Sequence, residues 1–397
     1  MPQLFARKVL RMRASSVGFL RGAAPLFYWI CAEDVREGPP GEGWIAGDLH
    51  VENFGVYRTA PVDLLQRGRA ANVTFDLNDF DEAVLGPWRL DVLRLLTSLI
   101  LAARGNGASG GRTVTLAAAM LQAYVGGAFG SPEIGPRPPP VAKLLARASA
   151  RTRRALLDAR TTKTSRGRRF VRDGGRYVEL PASVDLAARG AFAVYAREVQ
   201  EKYGLSKEHF EVVDTAFRIA GTGSLGTLRI AVLARGKASA RVDDGHWIFD
   251  MKAQGEPAAV TFGNLPVPKS TRAMVPAERV LRAMERCLDQ PPHMASTVRL
   301  GNASMLVRRL APQEDKLNLA QVPDAELESL ARYLGALTGA AHRRGALRPA
   351  RAWTRAACEK LLHRAFELAG VHEAVYLAYV RLTEKTGSLH ETRRMRT

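Results

Sequence analysis

"GDLHVENFG", residues 47–55, is the stretch on which the prediction of this fold depends. It follows the apolar run 44–46, and this order predicts a strand that leads into a loop. Its polar side chains are Asp48, His50, Glu52 and Asn53. An ordinary turn needs only one or two such groups. Their concentration at a strand end is typical of a loop that performs chemistry or binds an ion.

The chain is long and strongly basic. Its 397 residues exceed what one hydrophobic core usually holds, so we expect two or three substructures that can share a single cleft. Lysine and arginine number 58 against 39 acidic residues, a formal net charge of +19. This charge favours a phosphate-rich partner such as a nucleotide, a nucleic acid, an acidic protein or an anionic lipid. A genome that prefers arginine would produce the same balance with no such partner, so charge alone does not show whether the protein has such a partner or which one it is.

The cysteines and the apolar runs predict a soluble, cytoplasmic protein. Cys31, Cys287 and Cys358 are odd in number and widely spaced, which indicates neither a disulfide framework nor a cysteine zinc site. The first 22 residues lack the uninterrupted apolar core of a secretion signal. The apolar run 90–105 is shorter than the roughly 18 residues that span a bilayer, and Arg94 interrupts it.

Hydrophobic periodicity predicts an α+β fold. Residues 44–83 are rich in predicted strands, and residues 217–236 with 245–254 predict three consecutive antiparallel strands. The other predicted elements are helices at 86–104, 113–130, 187–203 and 276–289, a strand at 304–310, and a helical tail from residue 322. The arginine-rich residues 141–172 are expected to be helical or mobile, with the arginines on a solvated face.

A glycine-rich loop and a lysine suggest a phosphate site in the β-rich region. The loop residues of interest are Gly221, Thr222, Gly223, Ser224 and Gly226. The β-branched, alternating residues after them predict a strand, whereas a helix follows a dinucleotide-binding loop. A loop between two strands is typical of a kinase flap that closes over phosphates, with a plain hairpin as the alternative. Lys252 ends the apolar strand "WIFDMK" and could reach these phosphates, or could simply extend to solvent.

The polar loop and the acidic stretch "FDLNDFDEA", residues 75–83, suggest magnesium-dependent group transfer. Asp48 and Asn53 are five positions apart, as in a phosphotransferase loop whose carboxylate accepts a hydroxyl proton and whose amide oxygen binds Mg²⁺. Candidates for a second anionic ligand are Asp76, Asp79 and Asp81. Such crowded carboxylates repel one another unless a cation lies among them. A solvated acidic turn is the alternative.

These motifs also carry a family resemblance. "GDLHVENFG" followed by "DFDEAVLGPWRLD" resembles the signature of aminoglycoside phosphotransferases and choline kinase-like enzymes. With "SVGFLRG", "GTGSLGTLR" and "VRRL", the chain resembles the bacterial domain-of-unknown-function 2252 family, which is grouped with protein-kinase-like folds. The resemblance implies a bilobal fold. A helical lobe, residues 1–204 completed by helices in 311–397, would face a β-rich nucleotide-binding lobe, residues 205–310.

The resemblance implies roles for the residues of both motifs. Asp48 matches the catalytic base and Asn53 a magnesium ligand. Asp79 matches the second magnesium ligand, with Asp76 as the competing choice. Lys252 matches the phosphate-binding lysine. The glycines that match the flap are Gly221, Gly223 and Gly226.

Further residues are implied in supporting roles. The carboxylate of Asp91 would accept hydrogen bonds from the backbone of the catalytic loop. Arg21 and Arg308 lie in family motifs and are expected to contact phosphate or to pair with the acidic cluster. His50 and Asp81 are expected to support the same site.

The chain departs from the kinase-like pattern in two ways. Ala46 stands where a histidine usually precedes the Gly-Asp pair, so the loop lacks one supporting hydrogen bond. The flap and the lysine also follow the catalytic loop, whereas an ordinary kinase places them before it. A circular permutation explains this order, because "YLGALTGAAHRRG" near the C-terminus resembles the helix that normally precedes the loop. The glutamate that pairs with Lys252 is left open among Glu256, Glu278 and Glu285.

The expected function is phosphoryl transfer from ATP, with Mg²⁺, to a hydroxyl of an unknown small molecule or protein. AMP transfer with ATP in a flipped pose is a close variant. A catalytically inactive nucleotide-binding scaffold is a second alternative. A basic nucleic-acid binder is less favoured, because aromatic residues make up only 7% of the chain and are not interleaved with the arginines.

Overall fold

The computed structural model describes residues 2–59, 73–130, 133–165, 167–220, 226–236 and 245–394. Its strands are β1 (Glu42–Ile45), β2 (Phe54–Arg58), β3 (Val73–Leu77), β4 (Val84–Pro87), β5 (Thr161–Thr164), β6 (Gly167–Phe170), β7 (Tyr177–Val178), β8 (Val212–Arg218), β9 (Arg229–Ala234), β10 (Trp247–Gln254), β11 (Ser296–Leu300), β12 (Ala303–Leu310) and β13 (Asp315–Lys316). These strands form antiparallel sheets, and with the helices they make a mixed α+β fold, as predicted.

The helices lie before, between and after the strands. They are α1 (Pro2–Arg13), α2 (Ser16–Gly22), α3 (Ala24–Ile30), α4 (Ala32–Arg36), α5 (Arg89–Gly105), α6 (Gly110–Phe129), α7 (Pro139–Ser149), α8 (Arg153–Asp158), α9 (Ala182–Tyr203), α10 (Ala258–Thr261), α11 (Lys269–Arg272), α12 (Pro276–Cys287), α13 (Asp324–Arg344) and α14 (Arg355–Arg394), with short 3-10 turns at Lys207–Phe210 and Leu319–Gln321. Among the described residues, no helix is both long and apolar enough to cross a membrane.

The largest sheet has six antiparallel strands in the order β11-β12-β10-β9-β8-β7. The three consecutive strands predicted from the sequence are β8, β9 and β10, which pair side by side. Strand β9, rather than a helix, therefore follows the glycine-rich segment, as the alternation of its residues predicts. Residues 221–225 of that segment lie outside the described residues.

The two faces of this sheet differ in character. One face packs against α9, where the rings of Phe192 and Tyr195 lie 5.0 and 5.6 Å from that of Phe249. The other face begins as an apolar surface that includes Leu233 and Ile248. At the end of the sheet that holds Lys252 and Arg229, away from Leu233 and Ile248, the same face is charged. Its charged residues are Arg218, Arg229, Asp250, Lys252 and Arg308.

A helical body built around α5, α6 and α13 supports the polar loops. Every residue of α5 from Arg89 to Ala103 is buried, because its apolar side chains cover nearly the full circumference. Helices α6 and α13 approach closely at glycines. A Cβ at Gly335 would lie 2.2 Å from the Met120 carbonyl oxygen, so only glycine permits this spacing.

Two short antiparallel ladders position the polar loops. Strand β1 pairs with β4, and β2 pairs with β3, so the segments after β1 and β3 lie side by side. Gly47, the second residue of the first segment, has φ +79°, and a Cβ there would lie 2.0 Å from the Glu82 carbonyl oxygen. Glycine is required at this point, because any side chain would push the two segments apart.

The arginine-rich segment 141–172 differs from its prediction. It contains α7 and α8, but it ends in the hairpin β5–β6 rather than in further helix or a mobile stretch. Phe170 anchors the hairpin, because its ring lies 4.5 Å from that of buried Tyr177. Arg168 is also buried and donates to Asp158 Oδ1 at 2.7 Å, so not all of the arginines lie on a solvated face.

Candidate functional site

The polar loop, the acidic stretch and the end of β10 meet at one cavity of about 350 Å³. We call it the Asp48 cavity. Its polar lining includes Asp48, His50, Asn53, Asp79, Asp81, Lys252, Arg21 and Lys316. Lys252 is far in sequence from Asp48 and Asp79, yet it lines the same space. Antiparallel pairing of β10 between β9 and β12 carries the lysine to this edge.

Asp48 is held by a buried arginine of α5. Arg94 forms an ion pair with Asp48 Oδ1, and its Nη2 also donates to the Leu20 carbonyl at 2.9 Å. The guanidinium lies 4.8 Å from the centre of the Phe27 ring. Burial raises the pKa of Asp48 to about 7, and although Arg94 opposes this rise, Glu82 adds to it. A carboxylate with a pKa near neutrality suits a general base.

The backbone before Asp48 is fixed by side chains from distant helices. Asp91 accepts from Ala46 N at 2.6 Å and from Gly47 N at 2.9 Å. His342 Nε2 lies 3.2 Å from Asp91 Oδ2, and the His342 ring stacks on that of Trp88 at 5.6 Å. These contacts hold the loop although Ala46 lacks a polar side chain.

Tyr28 adds a further support at the next peptide, which joins Gly47 to Asp48. Its hydroxyl donates to the Gly47 carbonyl oxygen. Burial raises the pKa of Tyr28 well above its usual value, so the hydroxyl keeps its proton and remains a donor.

Asn53 and His50 lie further along the loop. Asn53 Nδ2 donates to the Asp48 carbonyl at 2.7 Å, which leaves the amide oxygen as the atom that can act as a ligand. His50 is buried, and burial and the charge of Arg21 lower its pKa well below the usual value. The neutral ring accepts from Glu52 N at Nδ1, 3.2 Å away. His50 therefore shapes the loop as an uncharged group.

Lys252 pairs with Asp81. The Lys252 ammonium forms an ion pair with Asp81 Oδ2, and Gln254 Nε2 donates to Asp81 Oδ1 at 3.1 Å. The sequence leaves open which of three glutamates pairs with Lys252. Among the described residues, the carboxylate that pairs with the lysine belongs to Asp81 instead. Glu278 and Glu285 are exposed on α12 and do not line the cavity, and Glu256 lines it without pairing with the lysine.

Helix α12 instead directs an arginine toward the acidic stretch. Arg279 is buried, and its Nη2 donates to the Gly255 carbonyl at 2.8 Å and to the Asp81 carbonyl at 3.3 Å. The helix therefore ties the end of β10 to the acidic stretch through backbone oxygens, a contact that no sequence pattern indicated.

Asp79 and Asp76 have different surroundings. Burial alone would raise the pKa of Asp79, but the ammonium groups of Lys252 and Lys316 hold it below its usual range. Asp79 is thus an ionised carboxylate that faces the cavity. Asp76 is buried elsewhere, with Oδ1 accepting from Leu77 N at 2.8 Å and Oδ2 3.8 Å from Arg344 Nη2. The structure does not bring Asp76 into the lining of the cavity.

Burial raises the pKa of Asp76 to about 6, while Arg344 opposes the rise. Neighbouring side chains of a strand point to opposite faces, which is why Asp76 and the residues beside it in β3 have different environments.

The remaining predicted residues are placed as follows. Arg21 forms an ion pair with Glu52, so it neutralises a carboxylate of the polar loop. Arg308 Nη2 lies 3.4 Å from Glu314 Oε2. Of the flap, Gly226 is described with φ +102°. The flap residues Gly221, Thr222, Gly223 and Ser224 lie outside the described residues.

The donors around the Asp48 cavity fit a magnesium ion in type. Asp48, Asn53 and Asp79 bring carboxylate and amide oxygens, the ligands that Mg²⁺ prefers. Within the described ranges, however, no group of three or more histidine, cysteine, aspartate or glutamate side chains is arranged to hold a metal. Any ion there would rely on one or two carboxylates, the amide oxygen and ligand phosphates, as Mg²⁺ commonly does.

A second cavity of about 400 Å³ lies beside the first. We call it the arginine cavity. The residues that line both cavities are Asp79, Asp81, Lys252 and Lys316. The arginine cavity also has Arg160, Arg218, Arg229 and Arg308 in its lining, with apolar residues such as Leu77, Val280, Met284 and Leu306. The two cavities thus form adjoining spaces under the charged face of the six-stranded sheet.

Sequence reasoning missed three residues that support the Asp48 loop: Tyr28, Arg94 and His342. Arg94 had a visible signal, because it is a charged residue inside an otherwise apolar helix. Such a residue is costly to bury and needs a partner. The helix that contains His342 was associated with the loop by resemblance, but nothing in the sequence singled out His342 itself. Tyr28 had no signal, since only the tertiary structure brings α3 to this loop.

The fold and the site define a mixed α+β protein in which an ionised cluster lies between a six-stranded antiparallel sheet and loops held by helices. The chain belongs to the family described as an uncharacterized protein conserved in bacteria (DUF2252), which matches residues 1–127 and 136–382. No curated protein and no solved structure matches the chain.

Proposed function

We propose that this protein is a kinase-like phosphotransferase that binds ATP and Mg²⁺ and transfers a phosphoryl group to a hydroxyl. The supporting observation is that the Asp48 cavity brings together a carboxylate of near-neutral pKa, an amide oxygen, an ionised carboxylate and a lysine. Those are the groups that phosphoryl transfer needs, since the reaction depends on positioning and on neutralising charge.

In this proposal Asp48 orients the acceptor and takes its hydroxyl proton. Arg94 fixes the position of the carboxylate from inside the helical body, and Asp91 fixes its backbone. Asn53 and Asp79 would hold Mg²⁺, which supplies positive charge to the phosphates when bound. Lys252 would move from Asp81 to a phosphate oxygen, exchanging one anionic partner for another.

We propose further that the fold is a bilobal, circularly permuted kinase-like fold. Support comes from the order of the parts. The loop with Asp48 comes first in the chain, the six-stranded sheet with Lys252 comes later, and α13 returns near the end to support the loop through His342.

The test is transfer from radiolabelled ATP with Mg²⁺ to a panel of hydroxyl compounds, together with release of ADP. We expect Asp48→Asn to reduce turnover by about 10²-fold or more, the usual range for losing a general base, while the Kd for ATP changes little. Asp173→Asn, at an exposed residue that lines neither cavity, is the matched control. Turnover at the wild-type level in Asp48→Asn would exclude this mechanism.

A nucleotide-binding scaffold without activity is the second candidate. Two observations favour it. The Lys252 ammonium already forms an ion pair with Asp81, and the described part of the chain contains no group of three or more histidine, cysteine, aspartate or glutamate side chains that could hold a metal. A scaffold would bind ATP without releasing ADP or pyrophosphate. Release of pyrophosphate instead of ADP would identify AMP transfer.

A further inference from the structure

We propose that the arginine cavity is a second anion site, which binds a phosphate group in addition to any phosphate held by Lys252. The site lies on the charged face of the six-stranded sheet and is assigned from its own residues, so it does not depend on the proposed transfer reaction. The residues that would contact the anion are Arg160, Arg218 and Arg308.

Strand register places the cations of this site next to one another. Lys252 of β10 pairs directly with Arg229 of β9, and Asp250 pairs directly with Arg308 of β12. Arg218, at the end of β8, continues the same row beyond Arg229. Directly paired residues of antiparallel strands have side chains roughly 5 Å apart, so four basic groups from four adjacent strands surround one small space.

The carboxylates within this row do not balance its charge. Asp250 is buried and accepts from Arg229 Nε at 2.8 Å, while Arg218 Nη1 lies 2.8 Å from its other oxygen. One carboxylate therefore serves two guanidinium groups. Glu314 is 3.4 Å or more from Arg308, a loose pair. Over the whole lining of the cavity, four arginines and two lysines face five carboxylates, which are Asp79, Asp81, Asp250, Glu314 and Asp315, so the lining carries an excess of about one positive charge.

Some guanidinium nitrogens at this wall have no partner among the residues that the structure describes. Arg218 Nε and Arg160 Nη1 are buried and make no hydrogen bond to the described residues. A buried charged donor without an acceptor is costly, so a bound group that offers oxygen atoms would stabilise both. Guanidinium groups match the oxygens of a phosphate in geometry as well as in charge.

These observations favour a compact anion with several oxygen atoms, such as a phosphate group. Phosphate carries up to two negative charges near neutral pH, and its oxygens can accept from several guanidinium groups at once. The cavity volume of about 400 Å³ leaves room for more of the ligand than the phosphate alone. The phosphate could be a nucleotide's own or could belong to a second molecule.

The experiment is isothermal titration calorimetry of the purified full chain with inorganic phosphate, pyrophosphate and tripolyphosphate at low salt. We expect saturable binding of at least one of them, and about tenfold or greater weakening in Arg218→Met and in Arg160→Met. Arg160 forms no ion pair with the described residues, so its variant remains informative if Arg218→Met fails to fold. Arg299→Met is the matched control, because Arg299 is exposed on β11 of the same sheet and lines neither cavity.

Repeating the titration in the presence of saturating ATP and Mg²⁺ distinguishes the two sources of phosphate. Weakened binding of the anion assigns the site to the nucleotide, and unchanged binding assigns it to a second molecule. Failure of all three anions to bind, or wild-type affinity in a folded Arg160→Met variant, would overturn the anion site. Neither result bears on turnover by Asp48, so the two proposals fail separately.

Discussion

At the scale of single residues, the most consequential contact is the ion pair between Asp48 and Arg94. The Arg94 side chain is 0% exposed, and a charged group so deeply buried is tolerated only with a partner. Asp48 is the only carboxylate to which an ion pair of Arg94 is found in the described part of the chain. Each charge therefore depends on the other, and removing one leaves the second uncompensated.

We predict that Arg94→Met lowers the free energy of unfolding by about 3 kcal/mol, the range measured for breaking a buried ion pair. The check is urea denaturation of the wild type, Arg94→Met, Asp48→Asn and the double variant. The double variant should be more stable than the sum of the single effects indicates, with a coupling of about 1 kcal/mol or more. Additive effects would mean that the pair contributes nothing.

At the scale of elements, the spacing of α6 and α13 determines where the Asp48 loop is held. Gly339 of α13 lies against α6, and a Cβ there would be 2.3 Å from the Tyr124 carbonyl oxygen and 2.6 Å from Ala128 N. Three residues further along α13, His342 supports Asp91. The distance between α6 and α13 therefore sets the position of His342, and through Asp91 the position of the polar loop.

We predict that Gly339→Ala destabilises the protein by roughly 1–3 kcal/mol, because the added methyl group forces two packed helices apart. Gly126→Ala is the control. Gly126 is an exposed residue within α6, its Cβ would meet no atom within 4 Å, and alanine should stabilise the helix by about 0.5–1 kcal/mol. Thermal unfolding of both variants checks the prediction, which an unchanged Tm for Gly339→Ala would contradict.

At the scale of the whole molecule, buried titratable groups couple stability to pH in opposite directions. Burial lowers the pKa of His372 to about 4, although its hydrogen bond to the Leu368 carbonyl opposes this. Between that value and about 6.5 the unfolded chain binds a proton that the folded chain does not, so acid destabilises the fold there. Asp76, with a pKa of about 6, has the opposite effect on stability. Acid stabilises the fold through this residue, because the folded chain binds the proton more tightly than the unfolded chain does.

We predict that His372→Leu reduces the loss of stability between pH 7 and pH 5. A histidine that stays neutral contributes a loss of up to about 2 kcal/mol over this range, and the variant lacks that contribution. The comparison of wild type and variant removes the effect of Asp76, which both share. Urea denaturation at the two pH values checks this, and parallel changes in the two proteins would contradict it.

Much of the local structure could be predicted from the sequence. The strands around Lys252, the buried helix with Arg94 and the polar loop with Asp48 follow from periodicity and turn chemistry, which act over a few residues. Within 141–172 the predicted helix is present as α7 and α8, but the prediction was wrong for the hairpin β5–β6, because packing of Phe170 on Tyr177 overrode a charge pattern that favoured a solvated helix.

The sequence by itself determined which chemical groups this protein possesses and which of them are neighbours along the chain. Only the tertiary structure decided that Asp81 pairs with Lys252, that Asp76 lies outside the cavity, and that four arginines share one wall. The physical reason is the distance along the chain over which each effect acts. Propensity and alternation are local properties, whereas the pairing of buried charges depends on strand register and helix packing that join distant segments.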